Sequence, residues 1–261
     1  MRYRAKKHYL FICVIACLIL LAGCAPEPPD ALTPILKNGG FEGAQAPCPA
    51  IWWDSDGDVH VQTFGNIFCP YAWTPYWLDG WPCAGDLSRV TGQPEVRVIG
   101  ANPDPLRILQ GSQAVEWFTF HRCHSGGLVQ AVTLTPGRYY RLCGSAHAFY
   151  TNCSDMPHSA PRDWGPACLP IPWVWDALRV GLSTIPNPNS PEVVWSQPEY
   201  IYGVYGDETC TPPVEAKAWQ YFAILHSDAS HALRHCNVYW DAVELVEVYP
   251  VWLPIITQGA R

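Results

Sequence analysis

Eight stretches of this chain alternate apolar and polar residues with a period of two or run apolar for strand length, and none sustains a period of 3.6. They are Asp58 to Phe64, Glu95 to Ile99, Ala114 to His121, Leu128 to Leu134, Tyr139 to Phe149, Ala177 to Leu182, Trp219 to Leu225 and Val238 to Val248. A period of two puts alternate side chains on opposite faces, so each stretch predicts a strand with one face to bury. Twenty-six prolines and 20 glycines punctuate them. Pro136-Gly137 reads as a tight turn, and the run Pro186 to Pro191 as a longer one. About eight strands without a helix predict an all-β sandwich, because two half-buried sheets can each cover the other's apolar face.

The N-terminus follows a different logic. Four cations within the first seven residues precede an apolar run from Leu10 to Ala22, which closes on Leu21-Ala22-Gly23-Cys24. The run is short for a membrane span, and small residues precede the cysteine. The segment resembles a bacterial lipoprotein signal. That resemblance implies cleavage before Cys24, lipidation of its thiol, and a body anchored to the cell envelope facing outward, with membrane contact through the lipid alone. Ala25-Pro26-Glu27-Pro28-Pro29-Asp30 then reads as a stiff tether. The expected organisation is a signal peptide at 1–23, lipidated Cys24 and tether at 24–35, one domain at 36–248 and a tail at 249–261. Cleavage leaves 12 basic residues against 23 acidic ones, a net charge of −11, which argues against a nucleic-acid partner.

Nine of the 12 cysteines fall after Cys24. In an exported chain such cysteines pair as disulfides, and an odd number leaves at least one over. Cys153 with Cys168 is the expected pair, and a further bridge is expected among Cys48, Cys69 and Cys83. No Cys-x-x-Cys spacing supports a thiolate metal site. Two long stretches, Cys48 to Gly85 with at most one short strand and Thr151 to Trp173, read as loops crowded with aromatics, prolines and cysteines.

Three motifs carry a family likeness: Asn38-Gly39-Gly40-Phe41-Glu42-Gly43 near the start, Gly127 through Tyr140 around the Pro-Gly turn, and Asn237-Val238-Tyr239-Trp240-Asp241-Ala242-Val243-Glu244-Leu245 near the end. In this order they resemble the carbohydrate-binding jelly rolls of the family 4/9 type, within the galactose-binding-like superfamily. The resemblance implies a polysaccharide or glycoconjugate partner, no catalysis, and adjacent first and last strands that bring Glu42 near Asp241. A structural Ca²⁺ held by Asn38, Glu42 and Asp241 is one reading of that corner. The other is that Glu42 caps a turn and Asp241 accepts backbone hydrogen bonds. Sugar binding requires flat apolar faces with polar groups beside them, and the loop residues Trp73, Trp77 and Trp164 are the expected platform, with Asp79 and Asp163 as polar partners. Trp117 and Trp240 sit within strand patterns and are expected in the core.

Enzymatic readings find less in the residues. His121 and His124 point to opposite faces of a strand, and no His-Glu-x-x-His or Gly-x-Ser-x-Gly motif occurs. Asp54, Asp56, Asp58, Asp79 and Asp163 could furnish a glycosidase pair, but no spacing selects two of them. The expectation is a non-catalytic surface lipoprotein that binds glycan. The alternatives are a structural or adhesive envelope protein with a protein partner, and a glycoside-active enzyme.

Overall fold

A computed structural model describes residues 35–83, 85–100, 107–151, 176–200, 205 and 207–249. Cys24, the tether to residue 34, Cys153, Asp163, Trp164, Cys168 and the tail beyond 249 lie outside the described residues.

The described elements are all strands apart from turns and one short 3-10 stretch, and they fall within Leu36–Arg261. No helix among the described residues is long and apolar enough to cross a membrane. In chain order the strands are β1 (Gln45–Trp53), β2 (Val59–Pro70), β3 (Thr74–Leu78), β4 (Pro82–Cys83), β5 (Asp86–Val90), β6 (Glu95–Gly100), β7 (Gln113–Thr119), β8 (His124–Thr133), β9 (Tyr139–Thr151), β10 (Asp176–Ser183), β11 (Val194–Trp195), β12 (Thr209–Cys210), β13 (Val214–Glu215), β14 (Gln220–Ala229) and β15 (His235–Val248). All eight predicted strands are present, within a few residues at each end. The stretch from Cys48 to Gly85 is not a loop, since it carries most of β1 and all of β2, β3 and β4. Pro49 borders a register shift, Pro70 ends β2, and Pro75 and Pro82 stand at the first or second residue of their strands.

Hydrogen bonding follows one path, β11-β10-β14-β8-β3-β1-β2-β6-β7-β15-β9-β12, with β13 also on β9 and β4-β5 a separate ribbon. The path doubles back on itself where β2 meets β6, a parallel junction registered at Ile67 and Val96. Its two halves then face each other. A side chain on Gly126 of β8 would run into the ring of Trp117 on β7, and one on Gly144 of β9 would meet Val180 of β10. The result is a jelly-roll β-sandwich. Between the layers lie Trp117 and Val238 of the second sheet and Leu128, Leu225, Leu178 and Val180 of the first, all fully buried. Trp240, on the same strand face as Val238, is also fully buried, as expected for both strand tryptophans.

Three disulfides staple this frame: Cys48–Cys69 across β1 and β2, Cys83–Cys123 joining the β4-β5 ribbon to the residue before β8, and Cys143–Cys210 across β9 and β12. The first is the bridge expected among Cys48, Cys69 and Cys83. Cys236 is a buried thiol.

Two histidines sit inside the protein for opposite reasons. His124 lies against Ser227 Oγ at 2.9 Å and Thr119 Oγ1 at 3.3 Å. Because the Thr119 hydroxyl donates to Arg122 O, His124 Nδ1 is the donor to Thr119 Oγ1. His147 has no hydrogen-bond partner on either ring nitrogen, and is packed between Tyr239 and Tyr205 with ring centroids 4.6 and 4.7 Å away. Burial pushes both imidazoles from 6.5 down to about 3, with the charge of Arg107 adding to the effect at His147. The unfolded chain therefore takes up protons that the folded one refuses. Stability is complete above pH 6.5 and falls as pH drops toward 3, by up to about 1.4 kcal/mol per pH unit for each histidine. Urea titrations at pH 7.5 and 5 should show this loss, and His147→Phe should reduce the slope by close to one proton. A slope unchanged in that variant would show that His147 does not fold in the neutral form.

Candidate functional site

Direct cross-strand partners share a face of a sheet, and so do residues two apart on one strand. Register alone therefore collects a set of side chains on the outer face of the first sheet. Tyr76 of β3 is opposite Gly127 of β8, Gly127 is opposite His226 of β14, and His226 is opposite Arg179 of β10. One step along, Ser125 is opposite Asp228, while Gly181 is opposite Trp195 of β11.

Two glycines let this set converge. Gly127 leaves a gap over β8, and a side chain there would collide with the Leu225 carbonyl. Through that gap Tyr76 reaches β14, where its hydroxyl lies 3.1 Å from Leu225 O and 2.9 Å from His226 Nδ1. Gly181 does the same on the other flank. A Cβ there would fall 2.6 Å from the six-membered ring of Trp195, which crosses β10 to stand 5.4 Å from the His226 ring. His226 thus lies between two aromatic rings, buried, with its Nε2 3.0 Å from Asp228 Oδ1.

Asp228 gathers the cluster. Its Oδ1 also accepts the Ser125 hydroxyl, and its Oδ2 lies 3.2 Å from Arg179 NH2, whose guanidinium carbon stands 4.5 Å over the Trp195 ring. Burial by itself would raise this carboxyl, but the charge of His226, hydrogen bonds from His226 and Ser125, and the charge of Arg179 outweigh it and hold the group well below the usual carboxylate range. Burial beside Asp228 raises the Tyr76 phenol well above its ordinary value, so Tyr76 serves as a neutral brace. The side chains of Asp228 and Arg179 are 38% and 31% exposed, which makes this pair the part of the cluster that meets solvent.

Chemically the arrangement is a partly exposed ion pair braced from beneath by buried rings. The Ser125 hydroxyl gives its hydrogen to a carboxylate rather than to an imidazole, so Ser125, His226 and Asp228 are not in the order that activates a serine nucleophile. Among the described residues the cluster presents one carboxylate, Asp228.

The structure places the residues expected from sequence elsewhere. Trp73 and Trp77 are 3% and 2% exposed and cannot act as a platform. Trp73 packs on Phe41 and donates its indole N–H to Asn38 O. Trp77 stacks on Trp52 against Phe64. They read as loop residues because of the prolines around them, but strand pairing turns them inward. Asp79 donates its amide to Trp53 O and is not part of the cluster. Trp164, Asp163, Cys24 and the pair Cys153 and Cys168 lie outside the described residues. The residues that sequence reasoning missed, Arg179, Asp228, Ser125 and Trp195, had one local signal. Arg179 and Asp228 are charges set within strands that are otherwise largely apolar.

At the other corner the expected adjacency of the first and last strands does not occur, since β1 lies between β3 and β2 and β15 between β7 and β9, and Asn38 to Gly43 forms turns rather than a strand. Gly39 O accepts from Val243 N at 2.9 Å, beside the register shift between Asp241 and Glu244. The fully buried Asp241 accepts the amides of Leu109, Gln110 and Ala242 at 2.7–2.9 Å. Burial raises its carboxyl, those amides lower it, and Glu42 raises it further. Glu42, lowered chiefly by the Ser112 hydroxyl and amide, accepts those two groups and the Gln113 amide. Asn38 donates its side-chain amide to Tyr71 O. Three of about four acceptor positions on each carboxylate are thus taken by N–H or O–H groups, an arrangement that does not fit a cation cage. Cys143, Glu208 and Cys210 also lie close together, but their two sulfurs are bonded to each other.

No protein-family model matches the chain, and no curated protein matches it. Among solved structures it is similar to carbohydrate-binding modules of jelly-roll fold. TmCBM61 in complex with beta-1,4-galactotriose is 16% identical with a TM-score of 0.42, the match covering 83% of this chain and 99% of that one. The CBM22-1 xylan-binding domain from Paenibacillus barcinonensis Xyn10C is 11% identical with a TM-score of 0.37, covering 69% and 87%. A cyclase from Fischerella sp. TAU in complex with 4-(1H-Indol-3-yl)butan-2-one is 18% identical with a TM-score of 0.44, covering 84% and 98%. Likenesses at this level assign neither ligand nor reaction.

Because its amide donors hold Asp241, chelation of divalent cations is expected to leave the melting temperature unchanged. Asp241→Ala should cost roughly 2–4 kcal/mol in chemical denaturation by stranding those buried amides. A fall in melting temperature on chelation, abolished in Asp241→Ala, would instead place a cation at this corner.

Proposed function

We propose that the protein binds carbohydrate on the outer face of its first sheet, without catalysing a reaction, and that lipidated Cys24 holds it to the bacterial envelope facing outward. The supporting observation is the partly exposed Arg179–Asp228 pair beside the indole of Trp195, fixed from beneath by His226 and Tyr76. A sugar ring has an apolar C–H face and a rim of hydroxyls. An indole accommodates the first, and charged hydrogen-bonding groups at its edge accommodate the second.

Rigidity supports the same reading. The Ser125 and Arg179 hydrogen bonds to Asp228, its ion-pair contact with His226 and the packing over Gly181 fix the site before a ligand arrives, so little ordering entropy is lost on binding. The anchor follows from the N-terminal segment and its resemblance to a lipoprotein signal, and the tether would set the domain off from the lipid.

Glycan-array and insoluble-polysaccharide pull-down tests the binding reading. Trp195→Ala should weaken retention at least about tenfold while preserving the far-UV signature of the fold. Retention on no glycan, with specific capture of a protein partner, would favour an adhesive or structural envelope protein. For the anchor, Cys24→Ser should release the protein or strand it as unprocessed precursor. Intact-mass analysis that finds Met1 still present on the mature wild-type protein would exclude the lipid anchor.

A further inference from the structure

We propose that the sugar unit taken by this face carries a carboxylate, so that the ligand is a uronate-containing polysaccharide. The inference rests on the carbohydrate reading above and deepens it by assigning the charge of the ligand. It comes from an inventory of donors and acceptors.

Arg179 has five N–H donors, of which one is used, by Asp228. Its Nε is buried and faces no ligand, so the hydrogens open to one are those of its two terminal nitrogens, and among the described residues no acceptor other than Asp228 takes them. Acceptors are scarce by comparison. Among the described residues Asp228 is the cluster's carboxylate; Ser125 and Arg179 hydrogen-bond it on opposite oxygens, and His226 Nε2 stands 3.0 Å from Oδ1 as an ion-pair contact. The Tyr76 oxygen is buried against Leu225 and His226.

A neutral pyranose does not match this surface. Each of its hydroxyls gives a hydrogen as well as taking one, and the hydrogens it gives would compete for a carboxylate that is nearly full. A carboxylate only accepts. It is complementary to a surface with donors to spare, and its planar pair of oxygens matches the edge of a guanidinium. Trp195 contributes to that geometry, because a guanidinium resting over an aromatic ring keeps its in-plane N–H groups pointing outward.

The obvious objection is repulsion between the ligand's carboxylate and Asp228. The cluster answers it through the groups that do not face solvent. Ser125 and His226 hold the Asp228 charge at Oδ1, on the opposite oxygen from Arg179, so the guanidinium can be shared between Asp228 and an incoming carboxylate. His226 and Ser125 are thus positioning residues for Arg179, acting through Asp228.

The test is titration of the full chain in detergent with polygalacturonate, alginate, fully methyl-esterified polygalacturonate, neutral galactan and dextran sulfate at low and high salt. A uronate polymer should bind, and methyl esterification, which removes the charge but keeps the sugar, should weaken binding at least about tenfold. Arg179→Gln should weaken it by a similar factor, and Arg179→Lys, which keeps charge but not the fork, should fail to restore it. Equal affinity for the esterified and free acid forms, or binding of galactan with no binding of uronates, overturns the inference and leaves the carbohydrate reading standing. Dextran sulfate binding as well as the uronates, with Arg179→Lys fully active, overturns it in favour of diffuse charge attraction. Binding of none of these polymers, together with retention on no other glycan, removes both the inference and the reading beneath it.

Discussion

The two sheets come into close contact where Trp117 reaches across the interior to the backbone of β8 and β3 at Gly126, a position where any side chain would strike the indole. That approach determines much of what surrounds it. It commits Trp77, whose backbone lies at the same point, to the interior with Trp52 stacked on it. It also leaves the next glycine, Gly127, directed to the outer face, where the missing side chain opens the way for Tyr76. Adjacent glycines on one strand thus serve opposite faces, the first allowing the core to close and the second allowing the candidate site to form.

The architecture was legible in the sequence because period-two patterning reports directly on which face of a strand is buried. The positions of eight strands, the all-β class and the core placement of Trp117 and Trp240 follow from that signal alone. The segment from Cys48 to Gly85 was misread because its prolines mimic loop chemistry. Proline excludes a residue only from positions whose amide must be donated, and a register shift or a strand end removes that demand. Trp73 and Trp77 were assigned to the surface on the strength of that loop.

The site was far less legible, because it is assembled by register. Ser125, Arg179, Trp195 and Asp228 span about a hundred positions, and nothing local indicates that β8, β14, β10 and β11 will lie side by side. Once pairing is known, the same alternation that defined the strands places all four on one face. The second sheet shows why charge within a strand is an insufficient signal. Glu116 of β7 is completely buried, where Arg97, Asn237 and the Tyr239 hydroxyl surround it. That carboxylate is enclosed, whereas Asp228 meets solvent. Only the three-dimensional arrangement distinguishes the two.

The placement of β15 bears on how the molecule can be made. It is the last of the described strands, yet it sits in the interior of its sheet between β7 and β9, pairing with residues about 84 to 125 positions earlier. A growing polypeptide has nothing to put in that slot until nearly all of it has emerged, and before then β7 and β9 each expose an unpaired edge. Contacts so distant along the chain make closure slow and leave incomplete chains prone to sticking. Such a polypeptide stays open during synthesis, and the second sheet closes only when β15 arrives.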